Sequence, residues 1–399
     1  MRTYEQTHPW ITFKADLKKA SPRLWINLGE IRSKCDHIAG VPLRPFIAER
    51  MHQLFLARGV LGTTAIEGNT LTEEQVLQIL DGKLKLPASK EYLQQEIENI
   101  LRACNEIGDR LQKGLQLPLT VDSLKNFNRI ALDKLKVDPE VIPGEIRHHS
   151  VGVLRYRGAP AEDCEHLLQA LCDWLNSADF KSSTEDAVEY AVLKAVLAHI
   201  YLAWIHPFGD GNGRTARLLE FQIQLVAGVP SPAAHLLSNH YNQTRQEYYR
   251  QLDHASKSGG DIIPFLEYAI QGLVDGMRAQ VDLIRIQQWD VAWRNYVHEK
   301  FHEKTKAADI RQRQLALDLS TQEKPVLLAK LPEISPRLAK AYATRSPKTV
   351  HRDVIELEKL GLVERTPEGV RAKREIILAF LPMRAHNRPR AEQPAPAKP

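Results

Sequence analysis

His206-Pro207-Phe208-Gly209-Asp210-Gly211-Asn212-Gly213-Arg214-Thr215-Ala216-Arg217 puts one histidine, one acid, three glycines and two arginines into twelve residues. Upstream, Ala187–Ile205 is apolar over a helical length, although Glu189, Lys194 and His199 interrupt it. That pattern predicts a buried helix and not a membrane span. A residue before proline disfavours the α region, so the helix ends there and leaves His206 on a loop. Gly211 and Gly213 let the backbone turn with its amides exposed. A second helix is predicted from about Gly213 to Gly228. Its free N-terminal amides attract anions, and glycine lets a phosphate approach closely. Arg214 and Arg217, three apart, share one face of that helix. Two guanidiniums beside an amide nest suit a polyphosphate. Asp210 supplies one carboxylate for Mg²⁺ shared with phosphate oxygens, and His206 stands at the rim as a general base. No G-K-[ST] follows the glycines, so this is not a Walker A loop.

Outward from this stretch, helical periodicity covers about 45–67, 72–80, 90–113 and 121–135. It returns at 163–175, 187–205, 214–226 and 263–288. Only Val151–Arg157 reads as extended in this part, which predicts a short hairpin on a mainly α body. The 399 residues allow two or three domains. With 43 % apolar and 26 % charged residues the composition is that of a globular chain. The net charge of +5 permits a phosphate-bearing partner without demanding one. Cys35, Cys104, Cys164 and Cys172 have no metal-binding spacing and read as reduced, buried thiols of a cytoplasmic protein. No secretory signal is read in 1–13, and no membrane partner is expected.

The twelve residues resemble the Fic motif, HPFx[DE]GNGRxxR, with no departure at a fixed position. The resemblance spans about 45–284 and implies a Fic-type helical bundle with a small β-hairpin flap. Most Fic proteins transfer AMP from ATP to a Ser, Thr or Tyr hydroxyl of a target protein. The resemblance therefore implies ATP as substrate and Mg²⁺ as cofactor. It makes His206 the base and Asp210 the metal ligand. Gly211, Asn212 and Gly213 become the anion hole, Arg214 and Arg217 the phosphate clamp with Thr215 and Ala216 between them, and Phe208 the anchor of the loop. A kinase branch carries Lys where this chain has Gly213; a phosphocholine-transferring branch stays open.

Thr63-Thr64-Ala65-Ile66-Glu67-Gly68-Asn69 resembles the family's inhibitory motif, [ST]xxxE[GN], at Thr63, Glu67 and Gly68. The spacing predicts Thr63 and Glu67 on one helical face, with Gly68 as the C′ glycine. The resemblance names Arg217 as the partner of Glu67, and in some relatives the same glutamate serves AMP removal. Val151, Gly152, Val153 and Leu154 align with the flap, whose edge takes a target segment by strand addition. Tyr248 and Tyr249 align with the adenine pocket. A homodimer is a further expectation by resemblance.

In the C-terminal part, 335–361 predicts two helices joined by a tight turn, with Ser346 as N-cap and Pro347 at N1. Two short strands follow in 362–371. The pattern resembles a winged helix-turn-helix, which many Fic proteins carry. DNA contact would then fall to Arg345, Lys348 and Arg352. Residues 320–382 hold 12 Lys and Arg against 8 Asp and Glu, a balance of +4, and protein contact is an equal expectation. The expected domains are an N-terminal helical region 1–115, the Fic domain 116–288, a linker helix 289–314, the winged helix 315–382 and a disordered tail 383–399. The leading function is a protein adenylyltransferase (nucleotidyltransferase) autoinhibited by Glu67. The alternatives are a nucleotide-sensing DNA-binding regulator and an AMP-removing hydrolase that uses Glu67.

Overall fold

The computed structural model of the chain describes residues 2–153 and 156–378. Contacts divide the chain between Val281 and Asp282 into two compact units. Both are mainly α, and each carries one two-stranded antiparallel hairpin.

The first unit contains α1 (Thr3–Thr7), α2 (Pro22–Gly40), α3 (Pro45–Ala65), α4 (Glu73–Leu80), α5 (Glu91–Gln112) and α6 (Val121–Leu132). The hairpin β1 (Gly152–Val153) and β2 (Tyr156–Arg157) follows, with Gly152 opposite Arg157 and Val153 opposite Tyr156. Then come α7 (Cys164–Leu175), α8 (Ala187–Ile205), α9 (Asn212–Val226), α10 (Ser231–Ala234), α11 (Leu236–Gln243), α12 (Arg245–Lys257) and the start of α13 (Ile263–Lys300).

Helix α8 is the centre of this unit. It is apolar all round, and its side chains from Val188 to Ile205 are buried on nearly every face. Such a helix belongs in a core or in lipid; here α2, α7 and α9 pack on it. The most apolar window of α8 is 72 % buried within the protein, as the interrupting charges lead one to expect. Just past the α9 cap at Ala227 stands Gly228, whose φ of 88° only glycine adopts readily. All four cysteines are free and buried, and burial pushes Cys35, Cys104 and Cys172 up to about 12 and Cys164 up to about 11.

Two local expectations change. Helix α3 stops at Ala65, so Glu67 lies in the following turn and not on the helical face of Thr63. Gly68, with φ of 109°, is then the second residue past the cap position Ile66 instead of the first. Helix α6 ends at Leu132 because Asp133 leaves the helical region with ψ 128°, and Lys134 follows with a left-handed φ of 57°.

The second unit is built from α14 (Ala307–Leu319), α15 (Pro336–Tyr342), α16 (Pro347–Lys359), β3 (Val363–Thr366) and β4 (Gly369–Ala372). Val363 faces Ala372 across the hairpin, and Val326 pairs with Val370. Val350, Val354 and Leu357 of α16 join Leu315, Leu338 and Val370 in its core. Buried Asp353 collects Arg311 at 2.6 Å, Gln312 at 2.9 Å and the Tyr342 hydroxyl at 2.9 Å. Ser335 caps α15 by accepting from the Leu338 amide, whereas Ser346 makes no side-chain cap bond. The stretch 289–314, expected as a linker helix, is not a separate connector. It gives Trp293, Val297 and Phe301 to the second core and holds the break between α13 and α14. The expected tail 383–399 and the last residues of the expected winged helix lie outside the described residues.

Candidate active site

A cleft of about 530 Å³ opens where α8, α9, α12, the hairpin and the turn after α3 meet. His206, Asn212, Gly213, Ala216 and Arg217 line it, together with Glu67, Val153, Tyr156, Tyr248 and Tyr249. Its size is that of a small-molecule site. Its lining is both aromatic and cationic.

His206 ends α8 in the left-handed region, φ 52° and ψ 57°. Its Nδ1 lies 3.3 Å from the Ala203 carbonyl. A carbonyl only accepts, so Nδ1 carries the proton and the lone pair is on Nε2. Burial pulls the His206 pKa down to about 4, Arg147 adds to the fall, and Glu67 and Asp210 partly oppose it. The ring is neutral at pH 7, the form a general base requires.

The loop from Pro207 to Gly211 is held from within. Phe208 is fully buried; its amide donates to Asn212 Oδ1 at 2.9 Å, and Asn212 Nδ2 donates to its carbonyl at 2.8 Å. The Asn212 side chain is therefore occupied, and only its backbone amide remains for an anion. Gly211, φ 76°, turns the chain into α9, whose first internal bond runs from the Thr215 amide to the Gly211 carbonyl at 2.9 Å. The Asn212 and Gly213 amides precede that bond and stay open to a ligand.

The two arginines are held by acids from the N-terminal half. Arg217 Nη2 donates to Glu67 Oε1 at 2.5 Å and to the Thr63 carbonyl at 2.8 Å. The Arg217 side chain is 1 % exposed and that of Glu67 29 %. Burial opposes both charges, yet Arg217 and Arg214 hold the Glu67 carboxyl below its usual range, and Glu67 lifts Arg217 above its own. Nε and Nη1 of Arg217 are buried and lack hydrogen-bond partners among the described residues. Such orphaned donors are rare in a closed structure and fit an anion that enters the cleft. Arg214 reaches Glu96 Oε1 and Asp210 Oδ1, each at 3.1 Å.

Of the residues expected to bind nucleotide, Asn212, Gly213, Ala216, Arg217, Tyr248 and Tyr249 line the cleft. Gly211, Arg214 and Thr215 do not. Thr215 is fully buried, its hydroxyl donating to the Gly211 carbonyl at 2.8 Å. Asp210 stands outside the lining with its side chain 48 % exposed. Of the expected flap residues, Gly152 and Val153 form β1 and Val151 precedes it, while Leu154 lies outside the described residues. Sequence reasoning missed Glu96, Asn69, Asn128 and Arg147. Asn69 Nδ2 donates to Glu96 Oε2 at 2.9 Å and to the Leu93 carbonyl at 2.8 Å, which fastens the Glu67 turn to α5. Asn128, fully buried, joins the Asp210 carbonyl at 2.8 Å to the Gly144 amide at 2.9 Å.

Residues 118–223 match the family model described as Fic/DOC family. Protein adenylyltransferase fic-1 of Caenorhabditis elegans is 32 % identical over 56 % of this chain and 42 % of its own length. Protein adenylyltransferase Fic of Nematostella vectensis is 29 % identical over 60 % of this chain and 52 % of its own length. The chain thus spans about half the length of these curated relatives. A Fic family protein of Desulfovibrio desulfuricans G20 shares the fold with a TM-score of 0.55 at 22 % identity, over 90 % of this chain and 98 % of that one. Fic-1 (residues 134–508) of C. elegans gives 0.54 at 25 % identity, over 66 % and 73 %. The mainly α body with its small hairpin is the Fic fold, and within it residues 118–223 carry the match to the Fic/DOC family model.

Proposed function

We propose that this chain is a protein adenylyltransferase that moves AMP from ATP to a hydroxyl of a target protein and is restrained by Glu67. The observation that carries this is a neutral His206 in the same cleft as an arginine with unpaired buried donors. The relatives named as protein adenylyltransferases support the same activity.

In the step itself the target hydroxyl oxygen attacks the α-phosphorus. The bond from that phosphorus to its bridging oxygen breaks, and pyrophosphate leaves. His206 Nε2 takes the hydroxyl proton. The Asn212 and Gly213 amides are donors aimed before the reaction, so they stabilise growing charge on phosphate oxygens without reorganising. Arg217, freed from Glu67, turns its Nε and Nη1 to the outer phosphates. Tyr248 and Tyr249 line the cleft and offer aromatic surface to a base. The edge of β1 is the docking line for the target segment.

Asp210 is the residue for Mg²⁺. Its carboxylate is half exposed and, among the described residues, receives only the Gly211 amide and Arg214, both on Oδ1. One carboxylate with phosphate oxygens and water suits that ion. When bound, the ion neutralises phosphate charge. Transfer of label from α-labelled ATP to the chain itself or to a lysate protein tests the function, and none from any variant that folds would refute it.

The second unit supports a winged-helix reading. Two helices and a hairpin pack on one core, and Arg345, Lys348 and Arg352 are exposed around the start of α16. We infer DNA contact there. Phosphate contacts would give a steep fall of affinity with salt in a gel-shift titration; a salt-independent affinity would favour a protein partner. The regulator that only senses nucleotide is the weaker alternative, because nucleotide binding needs no neutral histidine. The four buried free thiols support a reducing compartment.

A further inference from the structure

Beside His206 lies a third buried cation that neither arginine of the motif supplies. Arg147 is 4 % exposed, and among the described residues it pairs with no carboxylate. Its whole fork is spent on main-chain carbonyls. Nε donates to His206 O at 2.7 Å, Nη1 to His149 O at 2.7 Å and Nη2 to Ala159 O at 2.5 Å, with Ile205 O at 3.5 Å from Nη2. Its own amide donates to Pro207 O at 3.0 Å.

These acceptors are not scattered. The last carbonyls of a helix have no intrahelical partner and must be met by something else. For α8, Trp204 O takes the Tyr156 hydroxyl at 2.7 Å and the Ala159 amide at 3.4 Å, while Ile205 O and His206 O take Arg147. Every one of those donors flanks or belongs to the hairpin. A cation there also matches the negative end of the helix. His149 precedes the hairpin and Ala159 follows it, so one guanidinium holds both ends of the hairpin and the helix terminus that bears the base. Gly158 completes the fit, since a Cβ there would come within 2.8 Å of the His206 Cβ and 3.1 Å of Arg147 Nη2. A histidine at φ 52° is a strained choice that its surroundings must hold in place.

We propose that Arg147 is a positioning residue for AMP transfer: it locks the left-handed backbone of His206 and the hairpin edge into one rigid piece, so that base and target hydroxyl meet in register. It touches neither ATP nor target. This rests on the adenylyltransferase reading for its kinetic arm and stands apart from it in its structural arm. Lysine cannot replace the planar fork, because one ammonium cannot serve carbonyls on three segments at once.

The test uses the full chain with Glu67→Gly to release the brake, and compares it with the same chain also carrying Arg147→Lys. Initial rates over pH 4–9, ATP affinity by calorimetry, thermal unfolding and amide hydrogen exchange are all read. The expected result is ATP affinity within about twofold of the parent and kcat at least tenfold lower at every pH. Exchange should be faster in 149–159 and in 203–208 together, with other segments unchanged. If kcat is retained, or if ATP affinity falls as much as kcat, the positioning role is overturned. If the Glu67→Gly parent transfers no AMP, the adenylyltransferase reading fails on its own. Hydrogen exchange then decides the role of Arg147, and unchanged exchange in either segment overturns it. Arg147→Gln provides a second variant should the lysine one unfold.

Discussion

Replacing Glu67 with glycine removes the carboxylate paired with Arg217 and leaves that guanidinium with the Thr63 carbonyl. Two unit charges about 4 Å apart attract by roughly 4 kcal/mol at an effective dielectric near 20. The desolvation of both groups and the 29 % exposure of Glu67 return roughly half, leaving roughly 1.5–2.5 kcal/mol. ATP must break this pair to reach Arg217, so its Kd in the variant should tighten about ten- to seventyfold. The free protein should lose stability, because a buried cation loses its partner, and ATP should raise the melting temperature more in the variant than in the parent. Calorimetric titration with a non-hydrolysable ATP analogue and Mg²⁺ measures the first effect, and a thermal shift series measures the second. Transfer of α-labelled phosphate should rise by at least tenfold. A folded Glu67→Gly chain whose Kd and labelling rate both stay within twofold of the parent would refute the brake.

Gly213→Ala tests the same contact from the other side: a Cβ there would sit 2.2 Å from Glu67 Oε1, and Gly213 has ordinary helical backbone that alanine accepts. The variant should lose the Glu67–Arg217 pair and the protection of the 63–69 turn in hydrogen exchange; protection equal to the parent would contradict it. Because burial holds His206 down to about 4, the acid limb of kcat/KM should lie below pH 5 and not near the ordinary histidine value; an inflection at 6.5 would count against His206 as a buried base. Burial, with a smaller push from His52, takes His235 down to about 3, so the unfolded chain binds a proton near pH 6.5 that the folded chain refuses. This contribution is fully present above pH 6.5 and lost as pH falls towards 3, costing about 2 kcal/mol between pH 7 and 5. His235→Phe, which keeps a ring on Phe221, should flatten denaturant midpoints over that range; an unchanged slope would exclude His235 as the cause. Asn69→Ala should speed exchange in the 63–69 turn by cutting its tie to Glu96, and no change would mean that the turn holds itself.

What the sequence reveals here follows from how local the physics is. The loop 206–217 is legible because its parts act over a few residues: a proline stops α8, glycines turn the chain, and α9 starts with free amides. The N-terminal arm is half legible. Thr63 and Glu67 are recognisable by spacing, but the end of α3 at Ala65 depends on the turn with Gly68, so the helical-face argument fails while the contact with Arg217 exists. Arg147 and Glu96 are illegible. They reach His206 and Arg214 across 59 and 118 residues of chain, and nothing in their local spacing marks them. Helices α2, α11 and α12 also escaped the periodicity reading. Helix α12 in particular is strongly polar, and it packs through Tyr248 and Ala255 with partly buried Tyr249 and Leu252. The continuation of α13 past residue 288 had the same origin: its charged second part looked like a linker, although Trp293 and Val297 are fully buried.

Intact-mass spectrometry after incubation with ATP and Mg²⁺ tests the central claim most directly, on the parent, Glu67→Gly and the Glu67→Gly chain that also carries His206→Ala. The account predicts a mass increase of one or more AMP groups on Glu67→Gly, far less on the parent and none once His206 is gone. An AMP adduct that persists without His206, or no adduct on any of the three folded chains with or without added candidate targets, would contradict it.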